Sequence, residues 1–290
     1  MRVSTAGMNT QMISQALKVQ GSYSQALEQQ ASGLKSASLS GLDGQAGATV
    51  GLSADISRSQ HLSAQAETAT GQLEIAYATV GSIGDLVQDM LTNITAAISG
   101  TGDTSTLQAT AQDALDNVAS LLNTKYAGSY LFSGGTTTTQ PVDATADYSD
   151  TSYYQGGASQ RTVMLDGGAS VSYGVNADDP AFADTLAALQ TLATTPSPDT
   201  ATLQSAFDSL SSAVTGLGTI QENLSNQTDT LNAVIDSQTD FQLYAGEMLD
   251  SLTSVDVATA SAAASQREVL LEASFSALSS LKSVSVLNYL

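Results

Sequence analysis

The sequence has no cysteine and no tryptophan in 290 residues, and only 5% of its residues are aromatic. Without cysteine the chain cannot form disulfides, thiolate metal sites or a cysteine nucleophile. The scarcity of large rings favours thin interfaces between helices over the thick core of a globular enzyme. Hydrophobic residues still make up 42% of the chain, so there is enough apolar material for a folded core.

Histidine occurs only once, as His61, which excludes metal clusters that need several imidazoles. We interpret His61 as a helix-surface residue, because it lies beside the apolar stripe of its helix. The pair Gly134–Gly135 lacks the Lys-Ser/Thr of a phosphate-binding loop, and Asp178–Asp179 lacks the spacing of a calcium loop. No acid, base and nucleophile converge, so we predict no enzyme activity and no catalytic, cofactor or metal site.

Basic residues are also scarce, with eight against 28 acidic residues and a formal net charge of -20. Nucleic acid is excluded as a partner, because phosphate binding depends on Lys and Arg. Both ends are nearly neutral: residues 1–40 carry three basic residues and one acidic residue, and residues 257–290 carry two of each. We interpret the middle of the chain as solvated and the ends as the parts that meet other protein.

Long hydrophobic runs are missing as well. No stretch approaches the roughly eighteen apolar residues of a membrane span, and the N-terminus lacks the apolar core of a cleavable signal peptide. We therefore expect neither a membrane anchor nor export by the classical route.

What the sequence does contain is helical periodicity on both sides of a short proline-containing region. All four prolines lie within 141–198, which leaves the flanks free to form long helices. Apolar residues recur in alternating steps of four and three over 62–97, and leucine recurs every seven residues over 203–231. Stripes this narrow are buried against other, nearly parallel helices. We predict helices over about 8–34, 51–98, 104–122, 182–192, 200–249 and 257–284.

Between the helical flanks the composition changes to Gly, Thr, Ser and Tyr. Thr162–Leu165 and Ser170–Tyr173 flank Asp166–Gly168, a pattern typical of a β-hairpin. The predicted fold is mainly α, an elongated antiparallel helical bundle or coiled coil formed by both chain ends, with a small inserted β-rich subdomain. The predicted domains are a terminal helical assembly domain (1–50 with 250–290), a helical rod domain (51–127 with 180–249) and a β-rich outer subdomain (128–179).

The apolar residues of the terminal helices have two interpretations. They either pair with each other within one molecule or are covered by neighbouring subunits. We favour neighbouring subunits, because both ends are nearly neutral and the last helix is apolar on several faces. The predicted subunit interface consists of Ile13, Leu17, Leu27, Leu34, Leu270, Leu271, Phe275, Leu278, Leu281, Val284, Leu287 and Leu290.

Several segments carry a family resemblance in the same order along the chain: Met1–Thr5, Gln29–Lys35, Gly128–Gly135, Tyr153–Gly157, Val255–Ala258 and Gln266–Leu278. Together they are similar to the bacterial flagellin superfamily, and within it to the hook-associated protein 3 type, the hook–filament junction proteins. The chain departs from the pattern at 41–47. The expected turn with two aspartates is replaced there by a glycine-rich stretch that contains only Asp43.

The resemblance implies a secreted structural subunit of the bacterial flagellum that joins hook to filament and supports motility. It also implies export through the flagellar type III apparatus, self-association, and three kinds of partner: hook-associated protein 1, flagellin and an export chaperone. Two alternatives remain open. One is a short flagellin that forms the filament itself; the other is a surface adhesin whose binding tip is the β-rich knob around Tyr148, Tyr153 and Tyr154.

Overall fold

The computed structural model describes residues 5–42 and 44–283. Most of these residues are helical, as the periodicity predicts, and the fold is mainly α. The helices are α1 (Thr5–Ser32), α2 (Ala46–Ile98), α3 (Thr104–Leu122), α4 (Pro180–Thr194), α5 (Thr200–Thr253) and α6 (Val257–Ser283). Four short strands, β1 (Lys125–Tyr126), β2 (Ser129–Tyr130), β3 (Arg161–Met164) and β4 (Ser170–Tyr173), form two antiparallel two-stranded sheets.

The chain divides into two compact units, and each combines residues from both halves of the sequence. The terminal unit comprises Met1–Arg58 and Asp240–Leu290, and the central unit comprises Ser59–Thr239. The long helices α2 and α5 each contribute residues to both units. The three-domain division predicted from the sequence uses other boundaries and remains a prediction.

The core of the central unit is built on the apolar stripes of α2 and α5. On α2 every member of the alternation from Ala66 to Ile94 is buried, and on α5 every heptad leucine from Leu203 to Leu231 is buried. The second buried column of α5 lies three residues after each of the first three leucines and consists of small or β-branched residues, Ala206, Ala213 and Ile220. Narrow side chains there let neighbouring helices approach closely.

The segment between α3 and α4 is mostly loop, and it shares the core of the helices. Phe132 and Phe182 are fully buried and meet edge to face, with ring centroids 5.7 Å apart. Asn123 donates to the carbonyl of Val142 at 2.9 Å and accepts from the amide of the same residue at 3.0 Å. Side-chain bonds of this kind satisfy loop backbone that has no strand partner.

The buried Arg161 ties β3 to α2. Its guanidinium donates to Oε1 of Gln72 at 2.7 Å and to the carbonyl of Tyr130. The hydroxyl of Tyr173, on β4, donates to the same Gln72 oxygen at 3.0 Å. The predicted hairpin is present, since β3 pairs with β4. It is held on the surface of α2 by two hydrogen bonds to Gln72, of which the one from Arg161 is charge-assisted.

Three tyrosines proposed above as an exposed binding tip are core or partly buried residues. Tyr153 is fully buried and donates to the carbonyl of Ala177 at 2.8 Å, and Tyr148 is also buried. Tyr154 is partly buried and donates to the carbonyl of Gly157 at 2.9 Å. The expectation of a tyrosine-rich tip is wrong. The aromatic rings contribute more free energy when they are buried, and their hydroxyl groups donate to backbone carbonyls inside the fold.

Burial of these tyrosines makes the stability of the fold sensitive to alkali. Desolvation raises the pKa of Tyr148 and of Tyr153 above the ordinary value, and raises the pKa of Tyr154 to about 12. The unfolded chain therefore loses these protons at a lower pH than the folded chain. Their stabilising contribution is complete below about pH 10 and is lost as the pH rises through the folded-state values.

We expect the central unit to unfold cooperatively as the pH rises above about 10, with tyrosinate absorbance at 295 nm and loss of helical circular dichroism changing together. In Tyr154→Phe the free energy of unfolding should fall less steeply between about pH 10 and 12, because one linked proton is removed. Ionisation of every tyrosine near pH 10 with the helical signal unchanged would contradict this prediction.

Candidate assembly surface

In the terminal unit α1 packs along α6, and the most deeply buried apolar side chains described on the two helices are small. The buried apolar residues of the two helices, among those whose side chains the structure describes, are Ala16, Ala26, Ala260 and Ala264. Arg267 adds a hydrogen bond across the pair, from its guanidinium to the carbonyl of Ser22 at 3.0 Å. Alanine buries little area, so these four residues contribute little hydrophobic free energy.

Several large side chains of the terminal unit are exposed on or next to the same helices. Leu17 is 62% exposed, and Leu270 and Phe275 are each 53% exposed. Ile13, Leu27 and Leu34 are also exposed. A helix pair that buries alanine and exposes leucine and phenylalanine has its bulky apolar residues available to another surface.

The remaining members of the predicted interface have other placements. Leu271 and Leu278 are half-buried on α6. Leu281 lies in α6, but its side chain is outside the described part of the structure. Val284, Leu287 and Leu290 lie outside the described residues.

Further exposed apolar residues in the terminal unit were missed by the sequence analysis. On α5 they are Phe241, Tyr244 and Met248, together with Leu243. The next two heptad positions after Leu231 are Gln238 and Ala245, so between them the large residues lie off the heptad positions. That change of pattern is a signal in the sequence that could have identified them.

Exposed large hydrophobic side chains are concentrated in the terminal unit. Of the large hydrophobic side chains found exposed in the described structure, all except Tyr77 and Met164 belong to this unit. Such a concentration of exposed apolar side chains in one unit is typical of a surface used for association.

Acidic residues, by contrast, are concentrated in the central unit. The central unit carries nineteen of the 28 acidic residues, and its basic residues are Lys125 and Arg161. The terminal unit carries the other six of the eight basic residues. Repulsion between copies is therefore weakest where the apolar side chains are exposed, which favours association through the terminal unit.

The described residues offer little for other chemistry. They contain no group of three or more His, Cys, Asp or Glu side chains placed to hold a metal ion. His61 lies on the exposed surface of α2, as expected. No helix within 5–42 or 44–283 combines the length and apolarity needed to cross a membrane.

Two models of one protein family match the chain on either side of the loop-rich segment. The model of the bacterial flagellin N-terminal helical region matches residues 3–137, and that of the bacterial flagellin C-terminal helical region matches residues 200–290. The chain belongs to the bacterial flagellin family. It is accordingly a structural protein of the bacterial flagellum, and the exposed apolar residues of α1 and α6 lie within the two matched regions.

Solved structures also resemble this flagellin-family protein at low sequence identity. FlgL of Bacillus cereus matches with 16% identity and a TM-score of 0.41, over 73% of this chain and 96% of its own. A protein assigned as a flagellar hook-associated protein of Vibrio parahaemolyticus matches with 16% identity and a TM-score of 0.46, over 73% of this chain and 95% of its own. No curated protein matches the sequence significantly.

Proposed function

We propose that this flagellin-family protein joins the hook to the filament. The observation that carries the proposal is the element Gly128–Gly135, whose sequence resembles that of junction proteins. In the structure two residues of this element are closely packed. Phe132 packs on Phe182, and Gly134 lies against the backbone of Gly157 and Ser159. The resemblance therefore rests on residues that the fold requires, which supports the assignment.

In this proposal the terminal unit makes the joint. Neighbouring subunits cover the exposed apolar residues of α1 and α6, and each Å² of apolar area removed from water contributes about 25 cal/mol. The same surface meets copies of this chain within the joint, hook-associated protein 1 on the hook side and flagellin on the filament side. The acidic central unit stays solvated.

We further propose that the subunit reaches this position as an unfolded chain through the flagellar type III apparatus, accompanied by an export chaperone. A chain without cysteine cannot be trapped by disulfides before or during passage. The chaperone would cover apolar terminal residues that are exposed before assembly.

Seeded assembly distinguishes a junction subunit from a filament subunit. We expect purified protein to bind isolated hook ends capped with hook-associated protein 1, to saturate at a fixed number of copies, and to form no long filaments alone. Electron microscopy and bound-protein stoichiometry provide the readout. Growth of long filaments from the purified chain would identify it as a short flagellin.

The short flagellin remains the second candidate, because the 41–47 stretch leaves the choice between junction protein and short flagellin open. That stretch departs from the pattern by which the junction proteins were recognised. The adhesin alternative loses two of the three tyrosines around which its binding tip was predicted, because Tyr148 and Tyr153 are buried.

A further inference from the structure

A small cavity lies in the central unit, between the hairpin and the middle of α5. We call it the amide notch, and it is formed by residues 160, 171–175 and 179 on one side and by residues within 220–230 on the other. Its volume is about 310 Å³, enough for one small ligand, and it opens to solvent. All of its residues belong to the central unit, so it is separate from the candidate assembly surface.

The floor of the amide notch is apolar and continuous with the core. Ile220 and Leu224, on α5, are buried. Val171 and Val175, on the side of the hairpin, are partly buried against the same core. A ligand that fills the notch must therefore present an apolar face to these aliphatic side chains.

The rim is lined by amide and hydroxyl side chains, and two of the amides have no use inside the fold. Asn223 and Asn226, on α5, are exposed, and their side chains have no hydrogen-bond partner among the residues that the structure describes. Asparagine also disfavours the interior of a helix compared with alanine. Both side chains thus leave donors and acceptors available to a ligand without stabilising α5.

The backbone of β4 adds a polar edge to the same rim. The amide of Gly174, just after β4, donates to Oε1 of Gln227 on α5 at 2.7 Å. Alternate residues of an antiparallel strand direct their amide and carbonyl groups to opposite edges. The peptide groups of Ser172, two residues before Gly174, therefore face the edge that borders the notch.

The charges around the amide notch exclude most ionic ligands. None of the described residues that line it is Lys or Arg, and the central unit carries nineteen of the 28 acidic residues, so anions are repelled. Its one carboxylate belongs to Asp179, whose Oδ1 accepts from the amide of Ala181 at 3.0 Å and caps α4. A single carboxylate that already serves as a cap offers too few oxygens for a bound cation.

We propose that the amide notch binds one neutral hexose unit. The hydroxyl groups of such a ring both donate and accept hydrogen bonds, which matches the side chains of Asn223 and Asn226 and the β4 edge at Ser172. The C–H groups of one ring face pack on Ile220 and Leu224. Because the notch is open and none of its described residues is aromatic, we expect a Kd of about 1 mM. The inference does not depend on the position of the subunit in the flagellum.

Nuclear magnetic resonance on the full-length, unassembled protein tests the site. The probes are the methyl glycosides of glucose, mannose and galactose, with glucuronate as an anionic comparison. We expect saturable shifts of the side-chain amide signals of Asn223 and Asn226 with at least one neutral glycoside. Asn223→Ala with Asn226→Ala should weaken this binding by roughly tenfold or more. The thermal stability of that variant should be unchanged or higher, because alanine favours the helix.

The groove between α2 and α3 provides a matched control. It has a similar volume, about 330 Å³, and is lined by the exposed Asn93 and Asn117. Asn93→Ala with Asn117→Ala should leave the binding unchanged. Equal weakening by both double variants, or binding that neither variant weakens, would overturn the proposal.

Two further outcomes of the titrations would also overturn it. One is the absence of saturable shifts with all three neutral glycosides at about 100 mM. The other is tighter binding of glucuronate than of the neutral glycosides, because the acidic central unit should repel an anion. A hexose unit can be a free sugar or the end of a glycan chain. Tighter binding of a disaccharide than of the methyl glycoside would identify a chain as the ligand, and equal binding a single unit; both results support the site.

Discussion

We expect the triple variant Leu17→Ser, Leu270→Ser, Phe275→Ser to lose assembly while its isolated subunit stays as stable as the unmodified protein. Each of the three side chains is more than half exposed in the isolated chain, so the folded state loses little when they are replaced. In an assembly that covers them, each loses about 1 kcal/mol of burial. The sum, about 3 kcal/mol per subunit, corresponds to a roughly hundredfold weaker association.

The chain offers a matched control for this variant. Tyr77 and Met164 are also exposed, at 46% and 53%, but they lie in the central unit. Tyr77→Ser with Met164→Ser removes comparable exposed apolar surface outside the proposed interface. Sedimentation of seeded assemblies and thermal unfolding of the monomers measure the two effects. Equal loss of assembly in both variants, or no loss in the triple variant, would place the interface elsewhere.

The second large effect is expected at Gly134, in the segment that the junction assignment depends on. We expect Gly134→Ala to lower the free energy of unfolding of the central unit by about 3 kcal/mol or more. The φ of Gly134 is +60°, where a side chain is strained. A Cβ atom would also lie 2.6 Å from the carbonyl oxygen of Ser159 and closer still to that of Gly157, and backbone atoms on two sides cannot both move away.

A control variant at Gly128 separates the strain of a positive φ from the steric overlap of an added Cβ atom. Gly128 also has a positive φ, +82°, but a Cβ atom built there meets nothing within 4 Å. Gly128→Ala should therefore cost only the left-handed strain, about 1 kcal/mol. Chemical denaturation followed by circular dichroism compares the two variants. Similar losses in both would mean that the loop around Gly134 relaxes and that its close packing is not required.

The helices could be predicted from the sequence because their signal is local and repeated. The alternation along α2 and the heptad along α5 place each apolar residue on one face, and burial follows that face closely. The hairpin was predicted for a similar reason, since Asp166–Gly168 separates two short runs, Thr162–Leu165 and Ser170–Tyr173, that contain strand-favouring residues. In each case many residues within a short stretch of sequence indicate the same secondary structure.

The sequence analysis failed where burial depends on distant partners. The tyrosines around 153 carry no periodicity, and Tyr153 is buried because the carbonyl of Ala177 and the surrounding core accept it. The loop glycines looked alike in the sequence, yet Gly134 lies against the carbonyls of Gly157 and Ser159 whereas Gly128 has open space around it. Local pattern carries no information about such contacts.

By itself the sequence determined the class of protein: long amphipathic helices, no catalytic constellation, and an acidic middle between nearly neutral ends. These follow from composition and periodicity, which act along the chain. Only the tertiary structure decided that the buried apolar residues described on α1 and α6 are alanines while Leu17, Leu270 and Phe275 are exposed, and that Lys35 caps the C-terminal end of a helix more than two hundred residues away. Such contacts are selected by the packing of the whole unit, in which small residues allow close approach and unpaired carbonyls need donors.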